Sequence, residues 1–304
     1  MADIEVEGER CFVVTGATSG LGLALTRRLV RLPGVRVVAP ARDLARAGAL
    51  KLGERVTWVE LDLRSLAAVR AFADGWRGRI DGLVNNAGVS AGALRRTGDG
   101  WEETVAVNHL AALQLTVGLL PHLAGGRVVF LGSSTHNPEY RRAQRFAHRG
   151  PQFTSIEALA RGSEEAGASP ARLGFDRYAT SKLLNTVTAI ELGRRIAGER
   201  VAVYGFDPWM MPGTGLQRAM PLPVRFLWAT VLRMAVPWMA HASTPERSAA
   251  GLEWLLTVRP PPPSGQIFGV DRLPSRTVWT GAQAPALGRA VVDESLALLG
   301  ATLA

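Results

Sequence analysis

Short β-branched runs alternate along the chain with longer alanine- and leucine-rich stretches of helical spacing, the pattern of a parallel sheet covered by helices on both faces. Strands are expected at Cys11–Thr15, Val35–Ala39, Val56–Glu60, Gly82–Asn85, Arg127–Leu131, Val201–Phe206 and Gln266–Val270. Together they predict one Rossmann-type, doubly wound, seven-stranded α/β sheet, with residues 1–304 forming a single domain. Helices should start near Gly22, Leu44, Leu66, Trp101, Tyr178 and Pro245, with Ser65 and Thr244 as N-caps and proline following the second. Two segments break the rhythm. Residues Asn137–Arg177 are rich in Arg, Gly and Ala, and Trp209–His241 are dominated by Pro, Met, Trp and Leu. Connections of this length are usually lids or binding loops, so the first reads as an insert and the second as an apolar substrate lid. Pro260–Pro263 reads as a stiff connector into the last strand.

An apolar fraction of 47% over 304 residues is ample for a buried core. The single cysteine, Cys11, excludes a disulfide within the chain and points to a reducing cytoplasm. The acidic stretch Met1–Glu7 carries no secretion leader. The net charge of +9 comes mostly from arginines scattered through helices, with a cluster at Arg141, Arg142, Arg145 and Arg149, and no basic helix or zinc spacing turns it into a nucleic-acid reader. The five histidines show no metal-ligand spacing. Phe226–Met239 is too short for a membrane span and contains Arg233 and Pro237, so it reads as an amphipathic lid, with membrane-surface contact or a subunit interface as alternatives.

Chemistry enters at Thr15-Gly16-Ala17-Thr18-Ser19-Gly20-Leu21-Gly22, between the first strand and the first helix. A strand, a glycine-rich turn and a helix N-terminus place backbone N–H groups where a pyrophosphate can sit. Gly16 permits the turn, Gly20 lets a dinucleotide approach the backbone, and Gly22 allows close helix packing. The second strand ends Ala39-Pro40-Ala41-Arg42, without the acid that would hold an NAD ribose. Arg42 can pair with a 2′-phosphate and Ser19 can add a hydroxyl, so NADP(H) is the expected cofactor; an Arg42 that only stacks on adenine would leave NAD open.

Tyr178 and Lys182 stand four residues apart, on one face of a helix about a turn from each other. An ammonium beside a phenol is expected to favour the phenolate and lower the tyrosine pKa, giving an acid–base group for reversible carbonyl reduction.

These features, with Asp62-Leu63, Asn85-Asn86-Ala87-Gly88, Asn108 and Gly132-Ser133 in the same order, resemble the short-chain dehydrogenase/reductase superfamily over nearly the whole chain. The resemblance implies that Tyr178 is the general acid in reduction, that Lys182 binds the nicotinamide ribose, that Ser133 bonds the substrate oxygen with Ser134 in reserve, and that Asn108 steadies the lysine through a water-linked path. It implies that Asp62 meets the adenine, with Leu63 following it, that Asn86, Ala87 and Gly88 line the adenine ribose, and that Asn85 braces the strand ends. Ser133–Pro138, the insert after it, Ser181–Asn185 and Met211–Leu216 look like the branch with protochlorophyllide reductase-like and retinol dehydrogenase-like members, which favours bulky apolar substrates. Ser134, His136, Trp209 and Met210 are the expected pocket residues, and Pro208 lies on the cofactor side. Where the family normally has Pro-Gly, this chain has Pro208-Trp209. An indole there lines the pocket or narrows the cofactor site. The expected activity is NADP(H)-dependent interconversion of a ketone and a secondary alcohol, with a polycyclic or polyketide-like secondary metabolite as the candidate substrate; the alternative is a non-redox catalyst or partner protein on the same fold. A homodimer through helices Trp101–Leu120 and Tyr178–Ile196 is a further expectation, unless the lid segments cover them.

Overall fold

The computed structural model describes residues 9–140, 149–163, 169–196, 201–211, 236, 239 and 241–303. Strands β1 (Arg10–Val14), β2 (Val35–Ala41), β3 (Val56–Glu60), β4 (Gly82–Asn85), β5 (Arg127–Leu131), β6 (Ala202–Asp207) and β7 (Gln266–Gly269) form one sheet in the order β3-β2-β1-β4-β5-β6-β7. Every pairing is parallel. All strands therefore end on one edge, and the order reverses between β1 and β4, where ligands bind in open α/β sheets.

Alternate residues along each strand face opposite layers. Cys11, Val13, Leu83, Val128 and Phe130 pack with α3 (Leu66–Asp74), α5 (Ala111–Leu119) and α7 (Pro170–Arg195). Phe12, Val14, Val84, Val129 and Leu131 pack with α1 (Gly20–Leu29) and α8 (Pro245–Thr257). At roughly 1.5–3 kcal/mol for each fully buried large apolar side chain, these two layers hold the strand ends in place. Ser65 and Thr244 are N-caps, accepting from Ala68 N and Arg247 N. Residues Leu44–Gly48 form α2 behind the Asp43 cap.

Three boundaries depart from the sequence reading. The Tyr178 helix, α7, begins at Pro170, because Ser169 accepts a bond from Arg172 N and proline fits the first turn. The helix expected near Trp101 begins as α4 (Glu103–Val105) behind the Glu102 cap, widens into a π-turn over Ala106–Leu110 and continues as α5. A last helix, α9 (Pro285–Leu299), has no side-chain cap at its start and ends on Gly300 at φ +57°. The insert contributes a short helix, α6 (Ile156–Arg161); its residues 141–148 and 164–168 lie outside the described residues.

Helix α9 packs on α7 and α6 and touches α5. The bonds are specific: Ser295 Oγ lies 2.9 Å from His109 Nε2, Glu294 Oε2 accepts Ile156 N at 2.8 Å, and Asp293 pairs with Arg195 at 2.5 Å. A homodimer formed through the α4–α5 and α7 helices would have to displace these elements of the same chain. Among the described residues, one helix, Glu103–His122, is long and apolar enough to cross a membrane, and 83% of its apolar window is buried inside the domain, as in a core helix.

His109 lies on this covered face, fully buried, and burial pulls its pKa from 6.5 down to about 4, with the neighbouring Asn185 acting the other way. A depressed folded-state pKa means that stability is complete above the unfolded value and falls as pH drops from about 6.5 towards 4. Denaturant unfolding should show the wild type losing on the order of 2 to 3 kcal/mol more than a His109→Gln variant between neutral pH and about pH 4.

Candidate active site

The glycine turn closes on the end of β4. A Cβ on Gly16 (φ +69°) would lie 2.8 Å from Asn86 Nδ2, and one on Gly22 would lie 2.4 Å from the Gly16 carbonyl. Gly22 is thus required by the turn itself as well as by helix packing. Over Gly20 (φ +53°) a Cβ would meet nothing within 4 Å, so the backbone there faces open space. Ser19 caps α1 by position only; its exposed hydroxyl makes no capping bond, and α1 has no acid in its first turn. Thr18 is half-buried, whereas Leu21 is 5% exposed and belongs to the α1/α8 layer.

Asn86 ties the glycine turn to the strand end. Its Nδ2 donates to Thr15 O at 2.7 Å, and Asn86 N and Ala87 N both donate to Thr15 Oγ1 at 3.0 Å, so Asn86 is the brace between turn and strand. Asn85 bonds Thr116 Oγ1 at 2.9 Å and ties β4 to α5. Ala87 and Gly88 follow directly after β4. Arg42 is exposed directly after β2, while the neighbouring acid, Asp43, is used as the α2 cap. Burial works against charge on Asp62, but hydrogen bonds from Arg64 (2.6 and 2.9 Å) and the charges of Arg64 and Arg42 outweigh it and hold the carboxyl below its usual range. Leu63 packs against the core beside it.

Tyr178 stands in the third turn of α7 and Lys182 one turn later. Lys182 Nζ donates to the carbonyl of Leu131 at 2.9 Å and lies 5.5 Å from the centre of the Tyr178 ring. The phenol lies near Ser133, whose hydroxyl favours its charged form and whose Oγ accepts from Thr135 Oγ1 at 3.0 Å. Ser134 opens the short 3₁₀ turn Ser134–His136, so the geometry brings the first serine of the pair to the tyrosine. Asn108 lies in the π-turn, a distortion frequent at functional sites. Its Oδ1 accepts Val89 N at 2.8 Å, and its Nδ2 donates to Val89 O and Ser181 Oγ at 3.0 Å. A Cβ on Gly88 would lie 3.4 Å from Asn108 Oδ1 and 3.8 Å from Lys182 Nζ, so these three residues converge.

The charges correct one expectation. Burial lowers the Lys182 pKa to about 8, with Asp207 acting the other way. Tyr178 is raised above its ordinary value, first by desolvation and then by Asp207, with only the Ser133 hydroxyl opposing. The lysine does not dominate because its Nζ is turned to Leu131, while a buried carboxylate faces the phenol. A phenol in this state keeps its proton, which suits it to donate one.

His136 was expected to line the pocket. It is 2% exposed, its Nδ1 donates to Ser133 O, and its Nε2 accepts from Trp279 N at 3.1 Å, so neither nitrogen is free for a substrate; it fastens the serine turn instead. Met210 pairs with Ala242 and its neighbours, N to His241 O at 3.0 Å and O from Ser243 N at 2.9 Å, and Pro208 O accepts from Ser248 Oγ at 2.9 Å. Trp209 keeps φ +60°. Its indole lies 5.3 Å from the Arg247 guanidinium, meets His241 edge-on at 5.3 Å and packs into the α1/α8 layer, away from the layer that carries Tyr178 and Lys182. Of the Met211–Leu216 motif only Met211 is described, and Phe226–Met239 lies outside the described residues except at 236 and 239. A cavity of 120 Å³ among Arg10, Arg79, Arg127 and Arg259 opens at the opposite edge of the sheet.

Residues 10–144 match the family model for short chain dehydrogenases. Retinol dehydrogenase 12 of Bos taurus is 30% identical over 280 residues, covering 88% of this chain and 79% of that protein. The chain belongs to the short-chain dehydrogenase/reductase family. It is similar to the retinol dehydrogenase-like branch in particular: retinol dehydrogenase 14 of Mus musculus is 33% identical over 264 residues, 78% of this chain and 70% of that protein. Among solved structures, an uncharacterised protein of Mycobacterium Paratuberculosis superposes with a TM-score of 0.73 at 27% identity, covering 100% of this chain and 98% of that one. A protein described as an NAD(P)-dependent gluconate 5-dehydrogenase from Beutenbergia cavernae, with NADP bound, gives 0.60 at 26% identity over 86% and 94%. Membership of this family makes the chain an oxidoreductase.

A left-handed backbone at a residue other than glycine costs about 1–2 kcal/mol. Trp209→Gly and Trp209→Ala both lose the indole, but only glycine relieves that strain. In denaturant unfolding the glycine variant should be the more stable by about 1 kcal/mol, reversing the usual order of the two residues.

Proposed function

We propose that this short-chain dehydrogenase/reductase is an NADP(H)-dependent enzyme that interconverts a ketone and a secondary alcohol on a bulky, mostly apolar substrate. The observation that carries the reading is the Tyr178 phenol, beside Ser133 and one helical turn from the Lys182 ammonium, at the edge where the sheet order reverses. The open backbone at Gly20, the uncommitted Ser19 hydroxyl and the exposed Arg42 after an acid-free strand end fit a dinucleotide with a 2′-phosphate. When bound, the cofactor supplies the hydride.

The chain's own residues supply positioning and the proton. Ser133 Oγ and the Tyr178 hydroxyl converge on the place of a substrate oxygen, and both can hydrogen-bond it as charge develops. Tyr178 gives its proton to that oxygen in reduction and takes it back in oxidation. Lys182, anchored on Leu131 O, stabilises the phenolate left behind. Asn108, bonded to Val89 and Ser181, fixes the backbone at Gly88 against the lysine. The apolar substrate class draws support from the Trp/Met/Leu-rich composition of the chain after Met210, and from relatives named for retinol. A cytoplasmic setting and a role in secondary metabolism belong to the same proposal. A non-redox role, with Trp209 impairing hydride transfer, is disfavoured by the position of the indole against Arg247 and His241.

NADPH oxidation with retinal and a panel of bulky ketones tests the activity; no oxidation by any of them would count against it. Tyr178→Phe should lower turnover at least about 100-fold while leaving NADPH affinity within a few-fold. Arg42→Ala should weaken NADPH binding by about 10- to 100-fold and leave NADH binding unchanged, as the loss of one charge-assisted phosphate contact requires; equal effects on both cofactors would remove the 2′-phosphate assignment.

A further inference from the structure

The last residue of β6, Asp207, is 3% exposed and ends its strand among the residues of the proposed active site. The residue before it, Phe206, is in register with Leu131, the residue whose carbonyl receives the Lys182 ammonium, and Phe206 O accepts Gly132 N at 2.9 Å. Asp207 therefore stands beside the turn that carries Ser133. Its Oδ1 accepts Trp209 N at 3.0 Å and its Oδ2 accepts Thr277 Oγ1 at 3.2 Å. Among the described residues no Lys, Arg or His nitrogen comes within 4.0 Å of it, so it is a buried acid without an ion-pair partner. Burial pushes its pKa above the ordinary carboxylate value, while the Trp209 and Thr277 hydrogen bonds and the nearby His136 and His241 favour the charged form. Such a group is costly to bury, and costly arrangements cluster where function needs them.

Thr277 is itself fixed to the serine turn. Asn137 Nδ2 donates to Thr277 O at 3.0 Å, Trp279 N donates to His136 Nε2 at 3.1 Å, and Ser275 Oγ lies 2.9 Å from Thr277 Oγ1. The segment Ser275–Trp279 thus holds the carboxylate and the serine turn against each other. The titratable groups facing Asp207 are His136 from that turn, Tyr178 and Lys182 from α7, and His241 ahead of α8. Both ring nitrogens of His136 are already bonded and burial lowers its pKa, so it is a neutral neighbour. Lys182 remains as the buried cation.

We propose that Asp207 is a positioning residue for proton transfer, whose buried carboxylate keeps Lys182 an ammonium and Tyr178 a proton donor. The proposal rests on the reading of Tyr178 and Lys182 as the proton-transfer pair. It explains why a lysine with no carboxylate in contact stays charged in the interior: the negative charge acts from the adjacent strand end. It also biases the phenol towards the protonated form that reduction consumes.

The chain contains only two lysines, Lys51 and Lys182, which makes a direct test practical. The full-length protein, labelled with ¹³C at the lysine side-chain methylene next to nitrogen, is titrated by NMR without cofactor, with Lys51→Arg assigning the two signals. Lys182 should titrate near pH 8 in the wild type and about one pH unit lower in Asp207→Asn, with Lys51 unmoved. An unchanged Lys182 midpoint in folded Asp207→Asn overturns the proposal, since a merely structural role changes melting temperature without moving that midpoint. If Asp207→Asn does not fold, Thr277→Val removes one donor to the carboxylate and should shift Lys182 in the same direction; no shift overturns the proposal equally. The titration needs no substrate, so its failure is separate from a failure to find NADPH oxidation.

Discussion

The main-chain carbonyl of Leu131 is the fixed point of the site. It accepts Lys182 Nζ at 2.9 Å and Asn185 Nδ2 at 3.2 Å, two donors from one buried face of α7, at the last residue of a central strand. Helix α7 cannot slide along the sheet without leaving a buried ammonium unpaired, a penalty far larger than the bonds themselves contribute. Because Tyr178 is rigidly one turn before Lys182, the same constraint sets the phenol beside Ser133. The strand supplies the carbonyl, the helix supplies the donors, and the reacting group is placed by the helical pitch between them.

That constraint demands a dry interior, and the rest of the fold provides it. Residues Ala179–Gly193 of α7 are all buried, which requires a cover on the side away from the sheet. Helix α9 is part of that cover, pinned by the Asp293–Arg195 and Ser295–His109 contacts, with α6 held against α9 by the Glu294–Ile156 bond. The apolar surroundings that lower the affinity of Lys182 for its proton are therefore in part the work of a helix at the far end of the chain.

Much of this was legible from local pattern. The strands are short, almost continuously buried apolar runs whose alternate residues enter opposite layers, and the glycines at 16, 20 and 22 stand where backbone crowding or a positive φ makes them necessary. What escaped was non-local. Helix α9 has no Ser, Thr, Asp or Asn cap to announce it, and the start of α7 was hidden inside a stretch whose Arg/Gly/Ala composition reads as loop. Of two adjacent asparagines, Asn85 ties β4 to α5 as a brace, and only the fold shows that Asn86 also holds the Thr15 turn. The charge state of Tyr178 was misjudged for the same reason: a four-residue spacing brings a lysine near, but desolvation and a carboxylate 29 positions away in the chain decide the proton. The acid at the end of β6 was visible in the sequence, yet an aspartate before a proline carries no signal until a strand register puts it beside a serine turn.

Trp209 shows how far a backbone can outrank a side chain. The position has the positive φ of the glycine usual in the family, and the residue paired with it across the loop, His241, has φ +60° as well. Four hydrogen bonds hold this geometry: Trp209 N to Asp207, Met210 N to His241 O, Ser243 N to Met210 O, and Ser248 Oγ to Pro208 O. Strain of about 1–2 kcal/mol in one residue is tolerated when its surroundings over-determine it in this way. Once the backbone is set, the direction of Cα–Cβ is set too, and the indole is delivered to the α8 side, where Arg247 and His241 receive it. The replacement of glycine by the largest side chain therefore changes the wall next to the site while leaving in place the peptide groups that face Asp207.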